Sequence, residues 1–480
     1  MPRRLASLLA AALCACASTM SHPATSPQVK ALVGVTLVDG TGAPPVPDAA
    51  VIIRGDRIEC AGTRSACPVP SGAEISDLRG TWVTPGLVDA HVHFSQTGWA
   101  DGRPDALDAR DRHPYDDVEA GLRARPERFF RSYLCSGVTS VFDVGGYPWT
   151  FDLPARAKRD PLAPNIVAAG PLLSTLDHWL NLPAERQFIY LRDEKSAREA
   201  VHYLAAEHAG AVKVWFIVHE GRPFDEMAAA VRAAGDEARK AGLQLIVHAT
   251  GLREAKEALR AGARLLVHSV GDAPVDDEFL SLARSNKALY CPTLTVRDGY
   301  VRMFRGAIDG KPPALDDPGG CVDAATRAVV AETATVGAAH VDRNRFESRA
   351  PRWAAESETA KQNLPRVLAA GIPVVMGTDA GNPLTLHGPS VYAEMEAMQA
   401  AGLTPMQVIV ASTRNGADAM GRLADVGTVE RGKVADLLVL GADPTRDVAA
   451  FRSLRAVVRD GIVHPQAELR AAREPRRTAG

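Results

Sequence analysis

The chain has little of what marks several specialised protein classes. Only 5% of its residues are aromatic, and its charges nearly cancel, because 55 Lys and Arg stand against 57 Asp and Glu for a formal charge of −2. A nucleic-acid-binding surface needs excess positive charge and rings for stacking, so nucleic acid is not expected as a partner. The 40 Gly and 33 Pro follow no period, which excludes collagen. What remains is the composition of an ordinary globular protein.

Cysteine is also scarce, with seven residues in 480 and no CxxC spacing. Two of them lie near the N-terminus, and five in the rest of the chain are too few for a disulfide framework. Cys60 and Cys67 are seven residues apart around a Gly-containing turn. Export would allow them to pair, but the sequence leaves this open because pairing depends on their Cα separation.

No hydrophobic run is long enough to span a bilayer, which takes about 20 residues. The first 20 residues, MPRRLASLLAAALCACASTM, have two arginines and then an apolar stretch over 5–15, which predicts a signal peptide at 1–20. Its end, LCAC, resembles a bacterial lipobox with Cys16 as the lipidated residue. The alternative is ordinary cleavage near residues 15–18. We therefore expect an exported protein, either a periplasmic or outer-membrane lipoprotein that meets the membrane only through Cys16, or a secreted product.

Short apolar runs alternate with helical patterns along the middle of the chain. Near-continuous Val, Ile and Leu suit strands buried on both faces of a parallel sheet. Eight such runs predict a (β/α)8 TIM barrel, with a doubly wound open sheet as the alternative. The open sheet is disfavoured because no GxGxxG follows the first run. The predicted strands are 88–94, 139–145, 165–170, 211–217, 243–249, 264–269, 288–294 and 372–379.

The two ends of the chain differ from this α/β pattern. Residues 28–84 and 424–466 contain short strand-like runs separated by turn signals, which predicts a small β-sandwich domain assembled from both ends. The barrel then covers 85–423. Its excess length lies mainly in 95–130 and 296–355, and the second of these is either a lid over the active site or a surface insertion.

Residue types that ligate metals collect at the ends of the predicted strands. In a strand, residues two apart point to the same side, so the two histidines of the HVH run share a face. A lysine inside an apolar strand is costly to bury without a partner. Each of these residues alone has an ordinary structural explanation, but six on five strands indicate a site for zinc or a similar ion. They are His91, His93, Lys213, His248, His268 and Asp379.

Several motifs resemble those of the amidohydrolase superfamily. The segment VTPGLVDAHVH at 83–93 is similar to its signature, and GTVERGKVADLLVL at 427–440 is similar to its closing β-domain motif. The order of the lysine, the two later histidines and the aspartate is the superfamily's ligand order. Within it, GTDAG at 377–381, HG at 387–388 and AGLTP at 401–405 resemble the branch of imidazolonepropionase-like enzymes and Xaa-Pro dipeptidases.

The resemblance implies a binuclear metal centre. His91 and His93 would hold the more buried ion together with Asp379. His248 and His268 would hold the second ion. Zinc is the expected metal for this donor set.

The same resemblance implies roles for the remaining groups. Lys213, carboxylated by CO2, would bridge the two ions. A hydroxide between them would be the nucleophile, and Asp379 would be the catalytic residue that accepts its proton and passes it to the leaving nitrogen.

Two loops depart from the dipeptidase pattern. LDHW at 176–179 stands where related enzymes carry GGH, and VWFIVH at 214–219 stands where they carry SGG soon after the lysine. Both loops border the substrate pocket in such barrels, so these departures concern the dipeptide specificity and leave the metal chemistry unchanged. Candidate substrate contacts are His178, His387, Tyr300 and Arg297, and a packing or surface role is the alternative for each.

The sequence thus predicts an exported metal-dependent amidohydrolase that cleaves an amide bond in a small substrate, a Xaa-Pro-like dipeptide or an N-acyl amino acid. One alternative is a cyclic amide or imidazolone hydrolase, or a single-metal deaminase, on the same fold. Another is a binding protein without activity. Homo-oligomerisation is compatible with the superfamily but cannot be read from the sequence.

Overall fold

The structure is a computed structural model that describes residues 28–336 and 340–471. The predicted signal peptide at 1–20, with Cys16, lies outside these residues. Within the described ranges, no helix combines the length and the apolar character that a bilayer crossing requires.

Strands concentrate in the first three fifths of the chain and again near its end. They are β1 (Val29–Leu37), β2 (Val46–Arg54), β3 (Arg57–Thr63), β4 (Glu74–Asp77), β5 (Trp82–Pro85), β6 (Leu87–Val92), β7 (Val138–Asp143), β8 (Asn165–Ala168), β9 (Leu172–Ser174), β10 (Phe188–Tyr190), β11 (Val212–Trp215), β12 (Leu245–His248), β13 (Leu265–Val267), β14 (Leu289–Cys291), β15 (Leu437–Leu440), β16 (Leu454–Arg459) and β17 (Ile462–Pro465).

Helices follow most of the middle strands. They are α1 (Tyr115–Ala124), α2 (Glu127–Cys135), α3 (Leu153–Ala157), α4 (Glu194–Ala206), α5 (Phe224–Lys240), α6 (Leu252–Arg260), α7 (Asp277–Ser285), α8 (Val296–Asp309), α9 (Ala324–Ala331), α10 (Thr333–Val336), α11 (Arg343–Ala369), α12 (Ser390–Ala400), α13 (Pro405–Ser412), α14 (Arg414–Ala419) and α15 (Gln466–Leu469).

The middle strands form two parallel sheets, as the buried apolar runs predict. One has the order β6-β7-β8, and the other β10-β9-β11-β12-β13-β14. Seven of the eight predicted strands are present at the predicted places, and every residue of β6 and β7 is buried. The helices between them are also close to prediction, since α5 starts after Pro223 and ends before Gly242.

The eighth predicted strand, 372–379, makes isolated bridges instead of a regular ladder. Pro373 has no N–H to donate, and Asp379 has a positive φ of 63°, so a continuous strand is interrupted at both ends. The segment still bonds to both sheets. Val375 N donates to Tyr290 O of β14 (2.9 Å), and Ala90 N of β6 donates to Met376 O (3.1 Å).

The two chain ends meet in one sheet with the order β17-β16-β15-β5-β1-β2-β3, to which β4 is added beside β1. The pairing of β5 with β15 joins Trp82–Pro85 to Leu437–Leu440 directly. The expectation that both ends build a common β-unit therefore agrees with this sheet. Its hydrogen bonds run through a single sheet, so the two-layer sandwich stays a prediction.

Two cysteine pairs lie at bonding separation. Cys60 and Cys67 pair, with Cα atoms 5.7 Å apart, which answers the question that the sequence left open. Cys135 at the end of α2 pairs with Cys321, with Cα atoms 5.5 Å apart and 186 residues between them in sequence. No pattern in the sequence indicated this second pair. It attaches the segment 296–355, which contains α8 to α10 and the start of α11, to the body of the molecule.

We expect the long-range disulfide to stabilise the fold more than the short one, because closing a longer loop removes more entropy from the unfolded chain. Replacing Cys135 and Cys321 together by Ala should lower the free energy of unfolding by about 3 kcal/mol more than the same change at Cys60 and Cys67. Denaturant unfolding of the oxidised wild-type protein and the two double variants measures both losses in the free energy of unfolding. Equal losses, or none for the long-range pair, would contradict this expectation.

Candidate active site

All six predicted ligand residues lie together at the carboxyl ends of the parallel strands. His91 and His93 come from the end of β6, and the other four come from β11, β12, the residue after β13 and the segment 372–380. Five of the six line a cavity of about 300 Å3. His91, completely buried, lies beneath it.

The imidazoles of the first strand converge on one carboxylate oxygen. Nε2 of His91 lies 3.2 Å and Nε2 of His93 lies 3.1 Å from Oδ1 of Asp379. Nε2 of His268 is 3.9 Å from the other oxygen, Oδ2. The ring of His248 is 4.3 Å from the ring of His268, centroid to centroid. Ligand atoms of His91, His268 and Asp379 lie within 4.8 Å of one another, so this group could hold a metal ion.

The site favours the neutral form of three of its histidines. Burial, assisted by the nearby Lys213 and the other imidazoles, lowers the pKa of His91, His248 and His268 well below its ordinary value. A neutral imidazole has a free lone pair, which is the form that binds a metal ion.

Lys213 is 1% exposed, and its Nζ lies 3.4 Å from Nε2 of His91. Among the described residues no carboxylate oxygen lies within 4 Å of this amine, so it has no ion-pair partner there. Burial lowers the pKa of Lys213 to about 8. The amine is therefore much easier to deprotonate than a surface lysine.

Hydrogen bonds behind the site orient two of the rings. Nδ1 of His93 donates to the carbonyl oxygen of Gly145 at 2.6 Å. A carbonyl can only accept, so the proton is on Nδ1 and the lone pair of Nε2 faces Asp379. Nδ1 of His268 is 2.8 Å from Oγ1 of Thr293.

Buried Asp89 in β6 connects this first parallel strand to segment 372–380. Its carboxylate accepts from Thr378 N (2.9 Å) and Thr378 Oγ1 (2.6 Å), and it also faces the backbone N of His91 (3.4 Å). Gly377 allows this close approach, because a Cβ there would lie 2.7 Å from the Cβ of His91. The neighbouring Asp379 is thereby fixed beside the histidines.

Two of the ligand residues have left-handed backbone conformations, with φ of 72° at His268 and 63° at Asp379. Such a conformation is unfavourable for any residue with a Cβ and is typical of functional sites. Here it turns both side chains into the cavity just after their strands end.

The cavity wall beyond the predicted ligand residues is formed by β9, β10 and β11, by α8 and α11, and by the loops that follow β6, β12 and segment 372–380. Aromatic, amide and guanidinium groups alternate on it, so it offers both stacking and hydrogen-bonding surfaces. The residues are Gln96, Arg103, Leu172, Phe188, Trp215, Thr250, Val296, Arg297, Tyr300, Trp353 and Asn382.

Two of the four predicted substrate contacts, Arg297 and Tyr300, line this cavity. The structure does not bring His387 to it. The ring of His387 stacks on Phe129 at 3.8 Å, and its Nε2 pairs with the carbonyl oxygen of His93 at 3.1 Å, so it packs behind the site. His178 packs against Phe188 and is not among the lining residues.

Arg103 is a lining residue that the sequence reasoning missed. Nε and Nη2 of Arg103 each donate to Asp105 at 2.8 Å. Burial opposes the charge of Arg103, but Asp105 outweighs it and raises the pKa of Arg103 above its ordinary value. Asn382 accepts from both Arg103 and the hydroxyl of Tyr300. The only sequence signal for Arg103 was its position in 95–130, the long segment expected at the carboxyl end of the first strand.

These observations define an α/β protein with a buried His, Lys and Asp cluster at the carboxyl ends of parallel strands. Residues 82–463 match the model of the amidohydrolase family. The chain belongs to this family and is a hydrolase that acts on carbon–nitrogen bonds. Members of the family generally use a divalent metal ion, and the cluster above is a candidate site for it.

Individual relatives have different activities. The chain is 24% identical over 437 residues to the 5-methylthioadenosine/S-adenosylhomocysteine deaminase of Symbiobacterium thermophilum, which covers 86% of each chain. It is 27% identical over 418 residues to the imidazolonepropionase of Chromobacterium violaceum, covering 81% of this chain and 84% of that one. A solved Xaa-Pro dipeptidase with bound methionine has a TM-score of 0.69, 20% identity, and coverage of 91% and 100%. The last likeness concerns the fold.

We expect Thr378→Val to destabilise the protein by about 1–3 kcal/mol, because it removes a hydroxyl donor from the buried carboxylate of Asp89. Thr359→Val is the matched control, since that hydroxyl bonds only to a carbonyl of its own helix. Urea unfolding of both variants measures the difference. A loss no greater than that of the control would show that Asp89 does not depend on this donor.

Proposed function

We propose that the chain is an exported, two-metal hydrolase of the amide bond in a small substrate, a Xaa-Pro-like dipeptide or an N-acyl amino acid. The observation that carries this proposal is the convergence of His91, His93 and Asp379 within 3.2 Å, with Lys213 beside them and two further imidazoles adjoining. Such a set of nitrogen and oxygen donors in a cavity is suited to holding ions next to a substrate.

We further propose that the two parallel sheets belong to one closed (β/α)8 barrel spanning 85–423. Segment 372–380 supports this, since it bonds to β14 on one side and to β6 on the other. On the opposite side, Ala168 O of β8 accepts from Gly210 N, and β9 pairs with β11. Residues 28–84 and 424–466 would form the second domain. Protection of the Val375 and Ala90 amides from hydrogen exchange tests the closure.

The donor set fits divalent ions. Burial favours the neutral form of three of the imidazoles. Both carboxylate oxygens of Asp379 face the imidazole cluster and would be available to an ion there. His91 and His93 with Asp379 would hold one ion, and His248 and His268 the other. Nitrogen and oxygen donors without thiolates suit zinc, and also manganese or cobalt.

Carboxylation of Lys213 would resolve an unfavourable burial. An ammonium without an anionic partner is costly in this interior, whereas a carbamate is an anion that two cations would stabilise. Burial also favours the neutral amine that reacts with CO2. Lys213 would then provide an oxygen ligand to both ions.

The chemistry divides between the ions and the chain. When bound, the ions lower the pKa of water and polarise the scissile carbonyl. Asp379 accepts the proton of the attacking water and delivers it to the leaving nitrogen. The Gly145 carbonyl keeps His93 oriented, and Arg297 and Tyr300 contact the substrate from the wall of the cavity.

A second candidate function has support from the relatives. A cyclic amide or imidazolone hydrolase, or a single-metal deaminase, would share this fold, and the two relatives described above are a deaminase and an imidazolonepropionase. Such a protein would carry one ion and an uncarboxylated Lys213, so the metal content separates the two proposals.

Export is supported by the residue pattern at 1–20 and by the two cysteine pairs, since disulfides persist in oxidising compartments. Fractionation of cells that produce the full chain or its Cys16→Ser variant distinguishes a lipid-anchored product from a soluble one.

We expect Asp379→Asn to lower kcat by at least about 100-fold, because an amide cannot take up the proton of the attacking water. Metal counted by mass spectrometry on the same sample should remain bound. Asp236→Asn, on the exposed face of α5, is the control and should retain full activity. Near-normal turnover by Asp379→Asn would refute the catalytic role.

We also expect two metal ions per purified chain and a carbamate signal in 13C NMR after exchange with labelled bicarbonate. Lys213→Ala should lose this signal and at least one ion, whereas Lys240→Ala, on the exposed surface of α5, should keep both. One ion per chain with no carbamate signal would favour the second candidate function.

A further inference from the structure

A second cavity, of about 400 Å3, opens beside the candidate active site. We call it the outer chamber and define it by Tyr300, Phe304, Arg345, Phe346, Arg349 and Trp353. Arg103, Tyr300 and Trp353 line both cavities, so they form a shared wall. The two cavities therefore adjoin at these three side chains.

The apolar wall of the outer chamber is a continuous group of aromatic rings. Tyr300 and Phe304 lie one turn apart on α8, with centroids 6.4 Å apart. Phe304 lies 5.7 Å from Phe346 and 6.2 Å from Trp353, the latter with ring planes only 23° apart. Such a surface accepts another ring by stacking.

The polar side of the outer chamber is cationic. Arg345 and Arg349 lie one turn apart on α11, and both are exposed. Within the described residues neither has a carboxylate within 4 Å of its guanidinium. The chamber's own carboxylates are engaged elsewhere, because Asp105 binds Arg103 and Asp342 caps α11. Two guanidinium groups therefore remain free for an anionic ligand.

We propose that the outer chamber binds an aromatic, carboxylate-bearing part of the substrate, on the side away from the metal ligands. The aromatic wall would take the ring, and Arg345 and Arg349 would take the carboxylate, which guanidinium groups recognise well. This inference rests on the proposed amide hydrolysis and makes it more specific. The preferred substrates are N-acyl derivatives or dipeptides of an aromatic amino acid with a free carboxylate.

Three model substrates separate the two contacts. N-acetyl-L-phenylalanine has ring and carboxylate, N-acetyl-2-phenylethylamine lacks the carboxylate, and N-acetyl-L-alanine lacks the ring. We expect kcat/KM for the first to exceed that for each of the others by about tenfold or more. Equal values for all three would overturn the assignment.

The variants identify the residues responsible. R345Q/R349Q should reduce the preference for N-acetyl-L-phenylalanine over N-acetyl-2-phenylethylamine by about tenfold, mainly through KM. Phe304→Leu should instead reduce the preference of the enzyme for N-acetyl-L-phenylalanine over N-acetyl-L-alanine. Arg343→Gln is the matched control, because Arg343 lies on the same helix but does not line the chamber. If R345Q/R349Q keeps the carboxylate preference, the arginines do not bind it.

A binding measurement tests the outer chamber independently of amide hydrolysis. Calorimetry with 3-phenylpropionate and the whole protein should show binding that R345Q/R349Q weakens and Arg343→Gln does not. Binding of this kind without hydrolysis of any amide would reject the proposed function and retain the chamber. Hydrolysis with unchanged selectivity in R345Q/R349Q would reject the chamber and retain the proposed function. Absence of both would reject both.

Discussion

Asp89 joins two segments of the chain that lie 289 residues apart, and the candidate site depends on this junction. Its carboxylate accepts both polar hydrogens of Thr378, and Asp379 N then donates to His91 O at 2.7 Å. The last parallel segment is thereby fixed against the first strand. Without that contact the carboxylate of Asp379 would not be held within 3.2 Å of the imidazoles of His91 and His93.

The clustering of the six predicted ligand residues could be foreseen because strand periodicity and strand ends are local features of a sequence. His91 and His93 are two apart in a buried strand, and Lys213 stands out in an apolar run, so their shared location follows from the fold class. The same reasoning located β6 to β8, β11 to β14 and α5 to within a few residues, but it did not predict the short strands β9 and β10. It failed at 372–379, where a proline and a left-handed aspartate interrupt the ladder in ways that apolar content does not reveal.

The substrate side of the site was much harder to predict, since it depends on contacts between segments with no common pattern. Arg103 and Asn382 are in contact although 279 residues separate them in the sequence, and neither has a local signature. His387 matches a family motif yet packs behind His93 and against Phe129. The pairing of Cys135 with Cys321 likewise needs a Cα separation that only the folded chain supplies.

The Cys135–Cys321 crosslink affects how the molecule would survive in protease-rich surroundings. Strands β7 to β14 all lie between the two cysteines in sequence. A single backbone cleavage anywhere in that interval would leave both fragments covalently joined, so the nicked molecule would keep its pieces at high effective concentration. Damage to an exposed loop would therefore remain local until a reductant separates the halves.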